Sequence, residues 1–173
     1  MTPAGLSASS TAARAGRGLY GAGLCALHGQ VGAFSVVPGP GFLNACAALA
    51  TAYSNNAKVL CLTGQIPSAN IGKGIGMLHE IPDQSTIMQT LTKWAARLTT
   101  PADAPILVSE AFRQMQSRPT ATVGLEAPMD VLAAKAAVDL AVVEHDIRHP
   151  LVDPGPLRQP PNCWATHRIR SYS

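Results

Sequence analysis

No aspartate or glutamate precedes Glu80 in this sequence. An acid-free opening with Arg14, Arg17 and several serines and threonines resembles an organelle transit peptide. A strand-like segment already begins at residue 32, however, so a cytoplasmic location is the expectation. Charge is low overall, at 13% of residues against about a quarter in average soluble domains, which favours a surface partly covered by other protein. The basic residues form no stripe, so the sequence does not predict nucleic-acid binding.

Motifs of several other protein classes are also absent. No apolar run reaches the length of a membrane span. The cysteines at 25, 46, 61 and 163 have no Cys-x-x-Cys spacing and are interpreted as buried free thiols in a reducing compartment. Lys73 is followed by glycine, so the glycine-rich residues 66–77 are not a phosphate-binding P-loop. Residues 16–21 match Gly-x-Gly-x-x-Gly, but no strand precedes them and no acid follows, which argues against a dinucleotide site.

The clearest pattern runs from residue 32 to residue 65. Residues 33–37 are an apolar run ended by Pro38-Gly39-Pro40-Gly41, which predicts a buried strand and a tight turn. Residues 43–53 predict a helix, and residues 59–63 predict the next strand, parallel to the first. Gly41 would allow unusual dihedral angles at the turn. Ligands of such sheets bind beyond the carboxyl ends of the strands. The predicted packed face of the helix consists of Leu43, Cys46, Ala47, Ala50 and Tyr53.

The alternation of helices and strands continues along the chain. A short helix at residues 82–89, a strand at 94–98, a helix at 104–116 and a strand at 120–126 are predicted, and residues 132–143 are compatible with a further helix. These elements predict an α/β fold with a doubly wound, mainly parallel sheet flanked by helices. Residues 1–15, and the proline-rich residues 144–173, are expected to be poorly ordered or poorly packed.

Several short motifs occur in an order that resembles one enzyme family. The motifs are Gly39-Pro40-Gly41 with Asn44, Leu62-Thr63-Gly64-Gln65, His79-Glu80-Ile81-Pro82, and Ala127-Pro128-Met129-Asp130-Val131. Together they resemble the N-terminal pyrimidine-binding (PYR) domain of thiamine-diphosphate-dependent enzymes, especially acetolactate synthase and the 2-oxoacid decarboxylases. The resemblance covers residues 18–132 and implies a truncated PYR domain, incomplete at its N-terminal side. Residues 1–17 lie outside the resemblance, and residues 133–173 are interpreted as a linker-like helix and a disordered tail.

The resemblance implies that thiamine diphosphate is the cofactor. It places Gly39, Pro40 and Gly41 at the pyrimidine, which they would contact through their backbone, and it gives Asn44 the role of ordering the turn. A purely structural turn is the alternative interpretation of the same residues.

Two side chains are candidates for a catalytic role. Gln65 matches a glutamine that acetolactate synthases place near the cofactor and the substrate; the alternative is that it caps the end of its strand. His79 is the candidate for proton transfer, because histidine titrates near neutral pH, and the alternative is a histidine in a surface loop. A metal site formed by His79, Glu80 and Asp83 lacks further ligands and is not predicted. Lys93 and Trp94 are interpreted as packing residues.

Two parts of the family's machinery are missing from the sequence. The activating glutamate of the family, which hydrogen-bonds the pyrimidine, would fall near Arg14, where this chain has no acid. The family binds the diphosphate and Mg²⁺ through a C-terminal domain with a Gly-Asp-Gly motif and a later Asn-Asn pair. This sequence has no Gly-Asp-Gly, and Asn55-Asn56 has no acidic partner upstream. We therefore expect the chain to bind no metal and to be inactive alone.

Three interpretations of the function remain open. The first is a fragment of an enzyme that decarboxylates a 2-oxoacid and then releases or ligates the carbonyl fragment. The second is a non-catalytic PYR subunit that works in trans with the diphosphate domain of a partner chain. The third is a functionless gene remnant. Intact relatives are expected to be homo-oligomers, and the sequence leaves the 2-oxoacid and the use of flavin open.

Overall fold

The computed structural model describes residues 31–139 of the chain. A 3₁₀ turn, Ser68–Asn70, follows the strand that ends at Gln65. None of the helices in this part of the chain is long and apolar enough to cross a membrane. The strands are β1 (Gly32–Val36), β2 (Val59–Gln65), β3 (Trp94–Arg97) and β4 (Val123–Pro128), and the helices are α1 (Pro40–Ser54), α2 (Gln84–Leu91), α3 (Asp103–Gln116) and α4 (Met129–Ala133).

The four strands form one parallel sheet in the order β1-β2-β4-β3. Gly32 is paired with Val59 at the start of β1 and β2, and β4 lies between β2 and β3. Arg97 is paired with Glu126 in the register of β3 and β4. Because all strands run in the same direction, their carboxyl ends meet at one edge of the sheet.

Helices cover both faces of the sheet, which confirms the predicted α/β fold. Gly124 in β4 allows α2 to pack closely, because a Cβ there would lie 2.2 Å from the sulfur of Met88. Each large apolar side chain that is fully buried stabilises the fold by about 1.5–3 kcal/mol. The cluster under α1 and α2 includes Phe34, Phe42, Leu49, Val59, Cys61 and Met88, and the cluster under α3 includes Leu60, Ala111, Met115, Val123 and Leu125.

The buried face of α1 is not the predicted one. Leu43 and Tyr53, which were expected to pack, are 45% and 47% exposed. Alanine occurs on every side of this helix, so its apolar pattern has little contrast, and the large side chains of Phe42 and Leu49 decide which face meets the sheet. The buried residues are Gly41, Phe42, Ala45, Ala48, Leu49 and Ala52.

The unusual dihedral angles of the turn belong to Gly39 and not to Gly41. Gly39 has a φ of 60° and a ψ of −115°, whereas Gly41 lies within the first turn of α1. A Cβ on Gly39 would lie 2.3 Å from the carbonyl oxygen of His79, so a larger residue would displace the His79 backbone. The helix begins earlier than predicted, at Pro40, because proline suits the first helical position.

The end of the described chain also differs from the prediction. β4 covers Val123–Pro128 and not residues 120–126, and α4 ends at Ala133, so the helix predicted for 132–143 is not formed over residues 134–139. Residues 1–30 and 140–173 lie outside the described residues, with the segments 1–17, 16–21 and 144–173 and two of the cysteines. Cys46 and Cys61 are free thiols, and burial raises the pKa of Cys61 to about 12.

Lys93 holds the end of α3 against the sheet. Its ammonium group donates to the carbonyl oxygens of Gln114, Ser117 and Pro119, each at 2.8 Å, and to the Ser117 hydroxyl at 2.9 Å. These carbonyls lie at and beyond the end of the helix, where the last carbonyl oxygens have no backbone N–H donor within the helix. Lys93 is therefore a packing residue, as predicted, and desolvation lowers its pKa.

We predict that Lys93→Met lowers the free energy of unfolding by about 1–3 kcal/mol, because three main-chain carbonyls lose a charged donor. Urea denaturation followed by circular dichroism measures this change. Lys73→Met is the matched control, since Lys73 is exposed, and it should change stability by less than about 0.5 kcal/mol. Equal stabilities of the two variants would contradict the role given to Lys93.

Asp103 fixes the start of α3. Its carboxylate accepts hydrogen bonds from the Thr99 hydroxyl at 2.6 Å and from the Thr100 and Thr99 backbone N–H groups at 2.7 and 2.9 Å. These bonds, the Thr99 hydroxyl first, lower the pKa of Asp103 from 3.8 to about 2. The folded state therefore favours the ionised carboxylate at the positive end of the helix.

The lowered pKa predicts an acid-dependent loss of stability. Because the folded-state pKa lies below the unfolded one, the contribution of Asp103 is complete above pH 3.8 and disappears as the pH falls through about 2. Asp103→Asn, which cannot titrate, should flatten the dependence of the unfolding free energy on pH in this window. Urea denaturation between pH 2 and 5 tests this, and parallel curves for the two proteins would contradict it.

Candidate functional site

Three buried polar side chains and a partly exposed arginine lie together at the carboxyl edge of the sheet. Gln65 ends β2, Arg97 ends β3, and Glu126 lies near the end of β4. Gln84, the first residue of α2, lies beside them. The parallel strands bring these four residues together although up to 61 positions separate them in the chain.

The Glu126 carboxylate is the centre of this group. Its side chain is 1% exposed, and it accepts hydrogen bonds from three donors. Oε1 accepts from Gln65 Nε2 at 2.7 Å and from Gln84 Nε2 at 2.8 Å, while Oε2 accepts from Arg97 Nε at 2.5 Å. A buried carboxylate is tolerated only when it is paired and hydrogen-bonded in this way.

Gln84 connects Glu126 to the glycine turn. Its side chain is fully buried, and its Nε2 donates both to Glu126 and to the carbonyl oxygen of Gly64, at 2.9 Å. Its Oε1 accepts from the Gly39 N–H at 2.7 Å. Both ends of the amide are therefore used, and the turn, β2, β4 and α2 are joined through one side chain.

Gln65 has the contact expected of a strand cap, which was the alternative considered for it. Its Oε1 accepts from the N–H of Ile66 at 2.8 Å, so the amide caps the end of its own strand. It also lies in the wall of an open cleft of about 300 Å³ at the same edge of the sheet. A role in contacting a ligand stays a prediction.

The cleft combines apolar walls with a few charged groups. Ile66, Ile71 and Ile81 supply apolar surface, and Glu80, Asp83 and Arg97 supply charge. Other lining residues are Gln65, Gly72 and Gln84.

The two acids in this lining already have partners. Glu80 accepts from the N–H groups of Gly74 and Met77 at 3.0 and 2.9 Å, which closes the loop on itself. Asp83 accepts from the Thr86 hydroxyl and N–H, at 2.6 and 3.2 Å, and so caps α2. These bonds, the hydroxyl first, lower the pKa of Asp83.

The residues predicted for the turn occupy different environments. Gly39 and Gly41 are buried, Pro40 is exposed at the first position of α1, and Asn44 is exposed one turn further along. Gln84 contacts the turn through the Gly39 N–H, and the Gly39 carbonyl oxygen accepts from the Leu43 N–H at 2.9 Å. The turn lies next to the polar group but not in the lining of the cleft.

His79 does not join Gln65 in the cleft. It is half-buried and has a φ of 71°, and its backbone carbonyl packs against Gly39. The cleft is lined instead by its neighbours Glu80 and Ile81. In the part of the chain that the structure describes, no three His, Cys, Asp or Glu side chains are arranged to hold a metal ion.

The sequence analysis missed Gln84, Arg97 and Glu126. Arg97 and Glu126 were inside predicted strands, near their ends, and a charged residue at the end of a buried strand was the available signal. The partnership of the two requires the order β2-β4-β3, which the sequence pattern does not specify. Gln84 carries no signal of its own, because glutamine is common at exposed helix positions.

Comparison with known proteins identifies the domain. The family described as "Thiamine pyrophosphate enzyme, N-terminal TPP binding domain" matches residues 8–87. A probable 2-ketoarginine decarboxylase from Pseudomonas aeruginosa is 33% identical over 124 residues, which are 72% of this chain and 22% of that protein. The acetolactate synthase large subunit from Lactococcus lactis is 32% identical over 103 residues, 60% of this chain and 17% of that protein.

The catalytic subunit of mitochondrial acetolactate synthase from Saccharomyces cerevisiae is 29% identical over 119 residues, 69% of this chain and 17% of that protein. The chain thus spans about a fifth of the length of these relatives. The parallel α/β sheet agrees with the fold that the resemblance implied. The chain therefore belongs to the family of thiamine pyrophosphate enzymes and carries their N-terminal, pyrimidine-binding domain.

Proposed function

We propose that this chain supplies the pyrimidine-binding half of a thiamine diphosphate site in an enzyme that acts on a 2-oxoacid. Bound thiamine diphosphate supplies the electron sink that such an enzyme needs to cleave the bond between the carbonyl carbon and the carboxylate. The names of the relatives support a 2-oxoacid as the substrate class, because one is a 2-ketoarginine decarboxylase and the others are acetolactate synthases.

The observation that carries the proposal is the glycine turn beside the cleft. The Gly39 backbone is held on one side by Gln84 and on the other by His79, with no room for a Cβ. Glycine lacks a Cβ and so lets neighbouring groups approach its backbone closely, and at Gly39 the His79 carbonyl oxygen is one such group. We propose that Gly39, Pro40 and Gly41 contact the pyrimidine through backbone groups and that Asn44 lies at the margin of this site.

The cleft suits a ring better than it suits a diphosphate. Ile66, Ile71 and Ile81, which follow β2 in the chain, supply its apolar walls. Its charged lining consists of two acids and Arg97, and Arg97 is already paired with Glu126. A diphosphate requires cations or Mg²⁺ with oxygen ligands. We therefore propose that another domain, in a partner chain or elsewhere in a longer protein, holds the diphosphate and Mg²⁺.

Gln65 and His79 have different roles in this proposal. Gln65 contacts the cofactor or the substrate from the wall of the cleft. His79 is the candidate for proton transfer, although its side chain would have to reach the ligand from outside the cleft lining. These 173 residues by themselves are proposed to be inactive, because no acid precedes Glu80 to serve as the activating carboxylate.

Assembly in trans with a separate diphosphate domain is the second candidate. The loop after β2 carries Ile75 and Leu78 with 60% and 83% of their surface exposed. Large apolar side chains at the ligand edge favour contact with another protein surface. In this alternative the chain is a non-catalytic subunit that orients the pyrimidine for its partner.

We predict that the 173-residue chain binds thiamine and thiamine diphosphate equally and weakly, with a Kd on the order of 1 mM for either, because it contacts only the ring shared by both. Mg²⁺ should not change the affinity. Titrations followed through the backbone amide signals of Gly39 and Gly41 measure the binding, and the thiazole fragment of thiamine is the negative control.

Two results would contradict this division of the site. Micromolar binding of thiamine diphosphate with Mg²⁺ would show that the chain holds the diphosphate. Unchanged Gly39 and Gly41 signals at a concentration that saturates related sites would show that the turn does not contact the ring.

The second prediction of this proposal concerns turnover. The purified chain, supplied with thiamine diphosphate, Mg²⁺ and pyruvate or 2-ketoarginine, should release no carbon dioxide above the protein-free rate. The physical reason is that no carboxylate precedes Glu80 to bind the pyrimidine nitrogen. Turnover that is lost when Gly39 is replaced by alanine would refute the proposed inactivity.

A further inference from the structure

Glu126 has no direct role in the proposed function, although it is a charged side chain in the interior of the domain. Among residues 31–139 it is the only charged side chain that is buried. It does not line the cleft, and its two oxygens are fully engaged by Gln65, Gln84 and Arg97. Because burial of a carboxylate costs desolvation free energy, its presence in the interior needs a structural explanation.

The carboxylate determines which way the Gln84 amide points. Nε2 of Gln84 faces two acceptors, Glu126 Oε1 and the Gly64 carbonyl oxygen, while Oε1 faces one donor, the Gly39 N–H. A flipped amide would put Oε1 against two oxygens and an NH₂ group against an N–H. The orientation that bonds Gly39 is therefore the one that Glu126 and Gly64 select.

Gly39 depends on this hydrogen bond more than an ordinary turn residue would. Its φ of 60° with a ψ of −115° is accessible to glycine alone and is held only by surrounding contacts. Those contacts include the His79 carbonyl group on one side, the Gln84 amide on the other, and the Leu43 N–H at the Gly39 carbonyl oxygen. Loss of the amide contact would release the Gly39 N–H.

We propose that Glu126 is a positioning residue for the Gly39-Pro40-Gly41 turn and that it acts through the side-chain amide of Gln84. The inference rests on the proposed function only in giving the turn its role at the cofactor. Glu126 itself touches neither the cleft nor a reacting group.

The two oxygens of Glu126 must both accept hydrogen bonds, so an amide cannot replace the carboxylate. In Glu126→Gln the new side-chain amide has two possible orientations. In the first, its oxygen faces Gln65 and Gln84, and its NH₂ group faces the Arg97 N–H. The opposite orientation leaves that NH₂ group against the two glutamine donors. Only the second orientation takes the acceptor away from Gln84, whereas Glu126→Leu removes it altogether, so Glu126→Leu is the variant that tests the role of the carboxylate.

Hydrogen exchange of the Gly39 amide tests this inference in the full chain without any cofactor. In Glu126→Leu, which leaves Gln84 without this acceptor, we expect Gly39 to exchange about tenfold faster relative to the core amide of Cys61, which is the factor for one hydrogen bond. Val123→Ala is the control, because Val123 is fully buried in the same strand but packs under α3, away from the network. In that variant Gly39 and Cys61 should change together.

A second variant separates positioning from general destabilisation. Gln84→Leu should raise the relative exchange of Gly39 to the same extent, and the double variant Glu126→Leu with Gln84→Leu should add nothing further. If Glu126→Leu does not fold, Gln84→Leu and Arg97→Gln replace it. We then expect the local effect on Gly39 in Gln84→Leu and a smaller effect in Arg97→Gln.

Unchanged relative exchange of Gly39 in a folded Glu126→Leu or Gln84→Leu protein would overturn the inference, as would additive effects in the double variant. The outcome is distinct from that of the thiamine titration. If Glu126 positions the turn but the chain binds no thiamine, this inference stands and the proposed function is refuted. If the chain binds thiamine but Gly39 exchange does not depend on Glu126, the proposed function stands and this inference is refuted.

Discussion

The carboxyl edge of the sheet depends on the burial of one negative charge. An uncompensated carboxylate in a protein interior costs several kcal/mol, and the Glu126 carboxylate is 1% exposed. Gln65, Gln84 and Arg97 compensate it from β2, α2 and β3. Each donor belongs to a different element of the fold. If one donor is removed, the carboxylate loses part of its compensation, and the packing of the other two elements around it is affected as well. The positions of these elements at the edge are therefore interdependent.

The sheet topology makes this arrangement available. β4 lies between β2 and β3, so a side chain near the end of β4 has neighbours on both sides. Apolar clusters on the two faces fix that order, since Val59 and Cys61 pack under α1 and α2 while Val123 and Leu125 pack under α3. Apolar packing thus determines where Gln65, Arg97 and Glu126 lie. Gln84 connects them to the glycine turn through its hydrogen bond with the Gly39 N–H.

The sequence predicted the sheet class and most elements because their patterns are local. The apolar runs of β1 and β2 and the proline-glycine turn between them are visible within a few residues. The orientation of α1 was mispredicted because its alanines leave the face to be chosen by Phe42 and Leu49, a tertiary effect. The left-handed glycine was assigned to position 41 instead of 39 because Pro40 begins the helix.

The candidate site was predicted in part, for a similar reason. Gln65 was named because it matches a glutamine of the acetolactate synthases, and it lies in the wall of the cleft, where contact with a ligand stays a prediction. Its partner Glu126 is 61 residues away, and their contact depends on strand order and register, which single-sequence patterns do not encode. The roles of Asn44 and His79 came from the resemblance alone, and they stay predictions.

The carboxylates at this edge all act as hydrogen-bond acceptors within the fold. Glu80 accepts two loop N–H groups, Asp83 caps α2, and Glu126 accepts three donors. Each carboxylate thus connects backbone or side-chain donors that belong to a loop, a helix start or neighbouring strands. At this edge the negative charges therefore serve the geometry of the cleft and of the glycine turn, because each of them satisfies donors that would otherwise lack a partner.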